Sequence, residues 1–396
     1  MADGKGSLPA SRRLVFVGMQ PPAYLHVGLP KTGTTHLQLK LWHHEKALEA
    51  EGVMLPLDGK RAHFLAALDL VGGKKQGVAW ADLAADVDAH DGPVVISQEL
   101  LASATKEQAA TAVASLSGTH DVHLVMTVRD LSRQIPSAWQ QLVRYRVSDS
   151  LDQYMNAVLT EPQHEFWVSG YAPRVIERWL PSLSPERVHI ITVPGADPSL
   201  LWQRFASVIG VDPGEPGERL IGSNASMGAA QTEMLRRWNA QLDPAQFPTH
   251  DPYMVACRTV LLPSIPRTPA VPFGLPAQWA DWLTATTDDL CRELSGHGFD
   301  IRGDLAELEP DLTPLMTPQD LSDKEVLQVA LATMTELVSA QLRLRKELEA
   351  SRAKIERLKR RKRAQARPKS RSVGIASRVR RALLRDSSGR QPGAPS

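Results

Sequence analysis

The sequence predicts an α/β fold: a three-layer sandwich with a central, mostly parallel sheet and a phosphate-binding loop, followed by a C-terminal helical, coiled-coil basic tail. Two observations carry the sheet. Short apolar runs alternate with segments of helical spacing through residues 23–210, the order that gives parallel strands covered on both faces. The first run, "AYLHVGL", ends in a glycine loop that opens a helix, and strand–loop–helix is the context a phosphate loop needs. Charge sets the tail apart. Residues 341–396 hold 19 Lys and Arg against 4 Asp and Glu, net +15, which leaves 27 basic against 40 acidic side chains, net −13, in residues 1–340. The overall +2 therefore sums two opposite objects.

Taken in order, residues 1–22 are polar and Pro-containing and read as a flexible lead-in. After "AYLHVGL" comes a helix over "TTHLQLKLWHHEKALEAEG", with Leu37, Leu41 and Leu48 near helical spacing and Gly52 past its end. "GPVVISQE" is a second buried strand, "KEQAATAVASL" a helix and "DVHLVMTVRD" a third strand. "SRQIPSAWQQLVRYR" is a helix with Pro136 in or near its first turn. "APRVIERWLP" is a helix, "RVHIITVPG" a strand, and "PSLLWQRFASVIG" a helix ending at Gly210. Right-handed crossovers bring the carboxyl ends of these strands to one edge, where ligands bind in such sheets. Beyond Val211 the alternation is lost. Residues 211–320 read as a helical and loop extension that completes the domain, with helices over "ASMGAAQTEMLRRWNAQL" and "PAQWADWLTATTDDLCRELSG", an irregular Pro-rich stretch at 243–276 and a linker at 300–320. The tail occupies 321–396. Met334, Gln341, Leu348 and Ile355 take heptad a positions, and Leu337, Leu344, Ser351 and Leu358 take d.

The hydrophobic fraction of 42% supplies a core, and no window approaches the ~20 apolar residues of a membrane span. The N-terminal stretch lacks a convincing cleavage site and is read as no signal peptide. Two cysteines, Cys257 and Cys291, argue against a disulfide scaffold and fit a reducing compartment. The expectation is a cytoplasmic protein, or one peripheral at a membrane.

The chemistry starts at "GLPKTGTT". Gly28 and Gly33 have the spacing of a nucleotide-triphosphate loop, but Thr34 stands at the lysine position and Lys31 lies inside the loop. The bland alternative is a tight turn opening a helix. As an anion site, the segment offers close backbone approach at Gly33, uncapped amides and the positive end of a helix dipole, hydroxyls on Thr34 and Thr35, and a mobile charge on Lys31. A second motif follows the third strand: Arg129, then Ser137 eight residues on, near the start of the next helix. A guanidinium gives forked, permanently charged recognition of a phosphate. The alternative for Arg129 is a surface arginine at a strand end.

Together, "PKTGTT" after an apolar strand and the Arg129–Ser137 pair in "HLVMTVRDLSRQIPSAW" resemble the sulfotransferases that use 3′-phosphoadenylyl sulfate (PAPS), over roughly residues 23–240. "AHFLAALDL" and "VVISQELLA" place the resemblance nearest a bacterial branch. It implies a 5′-phosphate loop of Lys31, Thr32, Gly33, Thr34 and Thr35, and a 3′-phosphate site of Arg129 and Ser137. The Arg-Lys-Gly motif of cytosolic animal enzymes is absent, and "RLIGSNASMG" at 219–228 is its positional substitute.

Sulfuryl transfer is an in-line displacement governed by positioning and charge stabilisation, by analogy with phosphoryl transfer, and formally needs no metal. No Cys/His/Asp cluster has zinc spacing. Lys31 is the candidate to neutralise the leaving phosphate. Glu99, ending the strand "VVISQE", and His63 in "RAHFLAALDL" are the candidate bases; the alternatives are a dipole-stabilised helix acid for Glu99 and a helix-face histidine for His63. Trp139 and Gln140 are candidate lining of an acceptor cleft, with the core as the alternative for Trp139. The acceptor class stays broad: a hydroxyl or amine on a small molecule, carbohydrate or glycolipid. Two other activities fit the loop, an ATP-dependent small-molecule kinase and a non-catalytic nucleotide-binding adaptor working through the coiled-coil tail. The basic tail is compatible with a solvated arm, an anionic membrane surface or self-association through residues 327–360; without an aromatic platform, specific nucleic-acid binding is not expected.

Overall fold

The computed structural model describes residues 19–72, 78–195, 197, 199–214, 227–243, 245, 247, 250–267, 270–313 and 315–365. The chain divides into two compact units, Met1–Ala332 and Thr333–Ser396. In the first, a sheet of β1 (Pro22–His26), β2 (Val94–Ser97), β3 (Asp121–Val128), β4 (Val188–Thr192) and β5 (Asp300–Arg302) runs in the order β2-β1-β3-β4-β5. Every pairing is parallel, with Tyr24 beside Val95 and His123. The β2 and β4 side chains are buried throughout, as a strand covered on both faces requires.

The helices that cover the sheet are α1 (Thr34–His43), α2 (Lys60–Gly72), α3 (Lys106–Leu116), α4 (Leu131–Arg144), α5 (Ala172–Trp179) and α6 (Ser199–Ile209). On one face Tyr24, Val95, Val125 and Ile191 form a cluster with Leu37 and Leu41 of α1 and Trp202 and Phe205 of α6. On the other, α3 and α5 contact each other and β3. After α6 come α7 (Ala229–Ala240), α8 (Ala280–Gly296) and α9 (Asp323–Gln365), the last running on into the second unit. All four strands expected from the apolar runs are present.

Several expectations need correction. The first helix breaks at His44, and a separate short helix covers Glu45–Ala50 before Gly52 leaves it with φ 86°. The 300–320 segment is not only a linker: its "DIR" pairs with β4 and forms the sheet edge. The 243–276 stretch contains a helix at His250–Ala256 and a π-turn at Cys257–Leu261. Helix α4 starts at Leu131, where Asp130 caps it by accepting from the Arg133 amide at 3.0 Å. Pro136 therefore lies inside the helix, and Ser137 sits in its second turn rather than at its start. The lead-in up to residue 18, most of the 219–228 segment and the chain beyond 365 lie outside the described residues. Cys257 and Cys291 are free thiols. Among the described residues no helix is long and apolar enough to cross a membrane.

Phe205 is fully buried between the rings of His26 and Trp202. Phe205→Ala is expected to lower unfolding free energy by about 3–5 kcal/mol, read as a lower midpoint in urea denaturation at unchanged slope.

Candidate active site

The sheet order sets the site. Because β1 lies between β2 and β3, the segments leaving their carboxyl ends are neighbours: Glu99 after β2, the 28–33 loop after β1, and Arg129 after β3. This is the switch point at which open parallel sheets bind ligands.

The loop is held from inside. Lys31 and Gly33 both have left-handed backbones, at φ 66° and 94°, which for lysine costs about 1–2 kcal/mol. Thr32 fixes that turn. Its hydroxyl is fully buried, donates to the Leu29 carbonyl at 2.8 Å and pairs with the Thr127 hydroxyl at 2.8 Å. Gln134 of α4 donates from Nε2 to the Pro30 carbonyl at 3.2 Å and to Gly170 at 2.8 Å. Arg129 Nη1 donates to the Lys31 carbonyl at 3.2 Å. A side chain at Gly28 would collide with Thr34, whose own side chain is buried against the loop; one at Gly33 would lie 2.5 Å from Leu201 Cδ2. Thr35 is exposed. Gly33 caps α1 without a side-chain hydrogen bond, so the first-turn amides keep their donor capacity for an anion. Of the residues expected at the 5′-phosphate, Thr35 is exposed and Lys31 and Gly33 are half-buried, while the hydroxyls of Thr32 and Thr34 bond to the Leu29 carbonyl.

Arg129 and Ser137 are brought together. Both line a cavity of about 270 Å³ with Gln140, Phe273, Trp279 and Asp311. The cavity is near the small end of small-molecule sites. Arg129 Nε and Trp279 Nε1 are buried and have no hydrogen-bond partner, an uncommon state that calls for a ligand or water. The Asp311 carboxylate accepts from the Thr313 amide at 3.0 Å and is held toward its ionised form, first by the Thr313 side chain and amide. The rest of α4 supplies a polar face: Arg133, Ser137, Gln140 and Arg144 recur at helical spacing. Gln140 also donates to the Met227 carbonyl at 2.7 Å, so the described end of the 219–228 segment does reach this cavity. Trp139 is core: it is fully buried and its indole donates to the Asp149 carbonyl at 2.9 Å.

Lys31 and Glu99 lie outside that cavity but share its electrostatics. Burial pushes the Lys31 pKa down, Arg144 and then Arg129 push it further, and Glu99 opposes them. The Glu99 carboxyl is pushed up by the surrounding protein and pulled back by Lys31. Its side chain nonetheless meets solvent, so a substrate can reach it. The segment behind Glu99 is clamped by Arg178, which donates to the carbonyls of Ala102 at 2.6 Å, Ala104 at 2.7 Å and Val168 at 2.6 Å. Arg144, Arg178, Gln134 and Trp279 escaped the sequence reading. Only Arg144 carried a signal there, lying two helical turns after Ser137 on the same face.

His63 is not brought to the loop as a base. It is 1% exposed, its Nε2 donates to the Pro56 carbonyl at 2.7 Å, and its Nδ1 accepts the Ser97 amide at 3.3 Å. Burial pushes its pKa down to about 4. With both nitrogens committed, the ring straps α2 to the end of β2. Compared with protein-family models, with curated proteins and with solved structures, the chain gives no significant match.

Two outcomes are expected. Gly28→Ala displaces the Thr34 side chain and distorts the loop, which a loss of anion binding with a lower Tm will show. His26 and His63 are held neutral, pushed down to about 3 and about 4, whereas in the unfolded chain each takes up a proton near pH 6.5. The unfolded state binds more protons in this window, so stability falls on acidification from about pH 6.5 toward 4, by up to about 1.4 kcal/mol per pH unit per histidine. His63→Phe should flatten that slope in thermal denaturation at several pH values, even with a lower Tm at neutral pH.

Proposed function

We propose that the chain is a sulfotransferase that uses 3′-phosphoadenylyl sulfate. The observation that carries this reading is Arg129: one guanidinium nitrogen holds the Lys31 carbonyl, another is buried without a partner, and the side chain lines the cavity that contains Ser137. It thus joins a phosphate loop to a second anion position, as a donor with both a 5′- and a 3′-phosphate demands. Lys31, the α1 amides and Thr35 would hold the 5′ side. Arg129 and Ser137 would hold the 3′-phosphate, with Phe273 and Trp279 offering aromatic surface to the base.

When bound, the donor supplies the sulfuryl group, and the bond that breaks joins its sulfur to the 5′-phosphate oxygen. Glu99 takes the proton of the attacking acceptor hydroxyl or amine; its raised pKa moves a carboxylate toward the working pH of a general base. Lys31 stabilises the charge left on the phosphate. The bound anion also reverses the unfavourable crowding of Lys31 by Arg144 and Arg129. The acceptor is a small molecule, carbohydrate or glycolipid.

Calorimetric titration with adenosine 3′,5′-bisphosphate tests the reading. Wild type should bind without Mg²⁺, and Arg129→Ala should bind about 10- to 100-fold more weakly. Glu99→Gln should still bind, more weakly because Lys31 loses the carboxylate that favours its charged form, and fail to transfer sulfate. No binding by wild type rejects the function; ATP with Mg²⁺ binding as tightly as the bisphosphate makes the protein a kinase instead.

A further inference from the structure

The second unit carries a surface independent of the loop chemistry. Between Met334 and Leu358 α9 exposes large apolar side chains: Met334 60%, Val338 60%, Leu342 57%, Leu344 60%, Leu348 51%, Ile355 50% and Leu358 53%. With 100° per residue Leu344, Leu348, Ile355 and Leu358 fall within an arc of about 80° on one face, with Met334, Val338 and Leu342 off it. Basic residues flank that stripe on both sides, Arg345, Arg352 and Lys359 along one edge and Lys354 and Arg361 along the other. Residues 341–365 hold 11 Lys and Arg against 3 Asp and Glu. Two of those acids are taken up within the helix, Glu349 by Arg345 at 3.7 Å and Glu356 by Lys359 at 2.9 Å. What remains to meet a partner is cationic with an apolar strip.

We infer that this helix lies on an anionic lipid surface. The stripe would rest at the boundary of headgroups and acyl chains, while the long basic stems reach outward to lipid phosphates. Charge complementarity selects this occupant. A second copy in parallel register gains Glu347 against Arg352 but sets Lys354 of one helix against Lys359 of the other, and the seam itself carries Gln341 and Ser351. A nucleic acid would meet the charges and leave the stripe in water. Because α9 is not long and apolar enough to cross a membrane, the attachment is peripheral.

Co-sedimentation of the full chain with vesicles tests this. The chain should bind vesicles containing about one-third phosphatidylglycerol at least about tenfold more tightly than neutral phosphatidylcholine vesicles, and release as salt rises well above ~0.1 M. Replacing Leu348, Ile355 and Leu358 by Gln keeps every charge and a good helix former; it should weaken vesicle binding about tenfold with helicity unchanged by circular dichroism. Unchanged binding by that variant overturns the proposal, since charge alone would then suffice. So does tighter capture by a duplex DNA than by anionic vesicles, which assigns a nucleic acid. A dimer in sedimentation equilibrium that the same substitutions dissociate, without vesicle binding by wild type, assigns a second copy.

Discussion

The site depends on one hydroxyl pair. Thr32 and Thr127 meet at 2.8 Å, fully buried, and join the loop after β1 to the last residues of β3. The neighbouring ladder closes with Val27 donating to Val125 at 2.9 Å. With the two chain segments pinned there, Lys31 is forced through a left-handed backbone and its carbonyl is presented to Arg129. A lysine free to relax would leave that conformation. The buried pair, the Thr32 bond to Leu29 and the Gln134 bond to Pro30 together outweigh the cost. Threonine at 32 is thus a scaffold residue in the middle of the loop proposed to bind phosphate.

That distinction explains which parts of the site were legible. Strand identity and a parallel sheet were readable because four runs were apolar, bounded by turns and alternated with helices; which strands are neighbours was not. β5 was not: "DIR" is three residues long with one apolar side chain, and only its pairing with β4 makes it a strand. Lys31, Arg129 and Ser137 stand out in the sequence because their chemistry and spacing are local, and the fold sets Arg129 and Ser137 on one cavity. Whether a hydroxyl faces the ligand or the core is decided by tertiary contacts, so Thr32 could not be told from Thr35. Arg178 and Trp279 lie far along the chain from the loop, and no periodicity announces them. The start of α4 was misplaced because Pro136 suggests a first turn, whereas Asp130 already satisfies the amides six residues earlier.

Electrostatics works against the charge that this loop carries. Lys31 is destabilised in its charged form by burial and by Arg144 and Arg129. A folded state that gathers like charges at one loop spends stability that a bound anion restores, which is the pattern expected of a functional site rather than of a structural ion pair. Glu99 is the counterweight. Its charge favours protonated Lys31, and Lys31 in turn keeps the carboxylate available. The pair cannot be optimised separately: removing either partner shifts the other toward its neutral form.

The choice between the two candidate bases follows from the same framework. Glu99 and His63 both belong to the end of β2, one by sequence and one by contact. Ser97 is held from two sides, its hydroxyl by His26 Nδ1 at 2.8 Å and its amide by His63 Nδ1 at 3.3 Å. Gln98 then donates to the His26 carbonyl at 3.1 Å, and Glu99 is the first residue past these constraints. Protonating His63 would remove the acceptor for the Ser97 amide and loosen the strand end that aims Glu99. A ring in that position stays neutral and fixed, whereas the carboxylate two residues beyond its anchor point meets solvent.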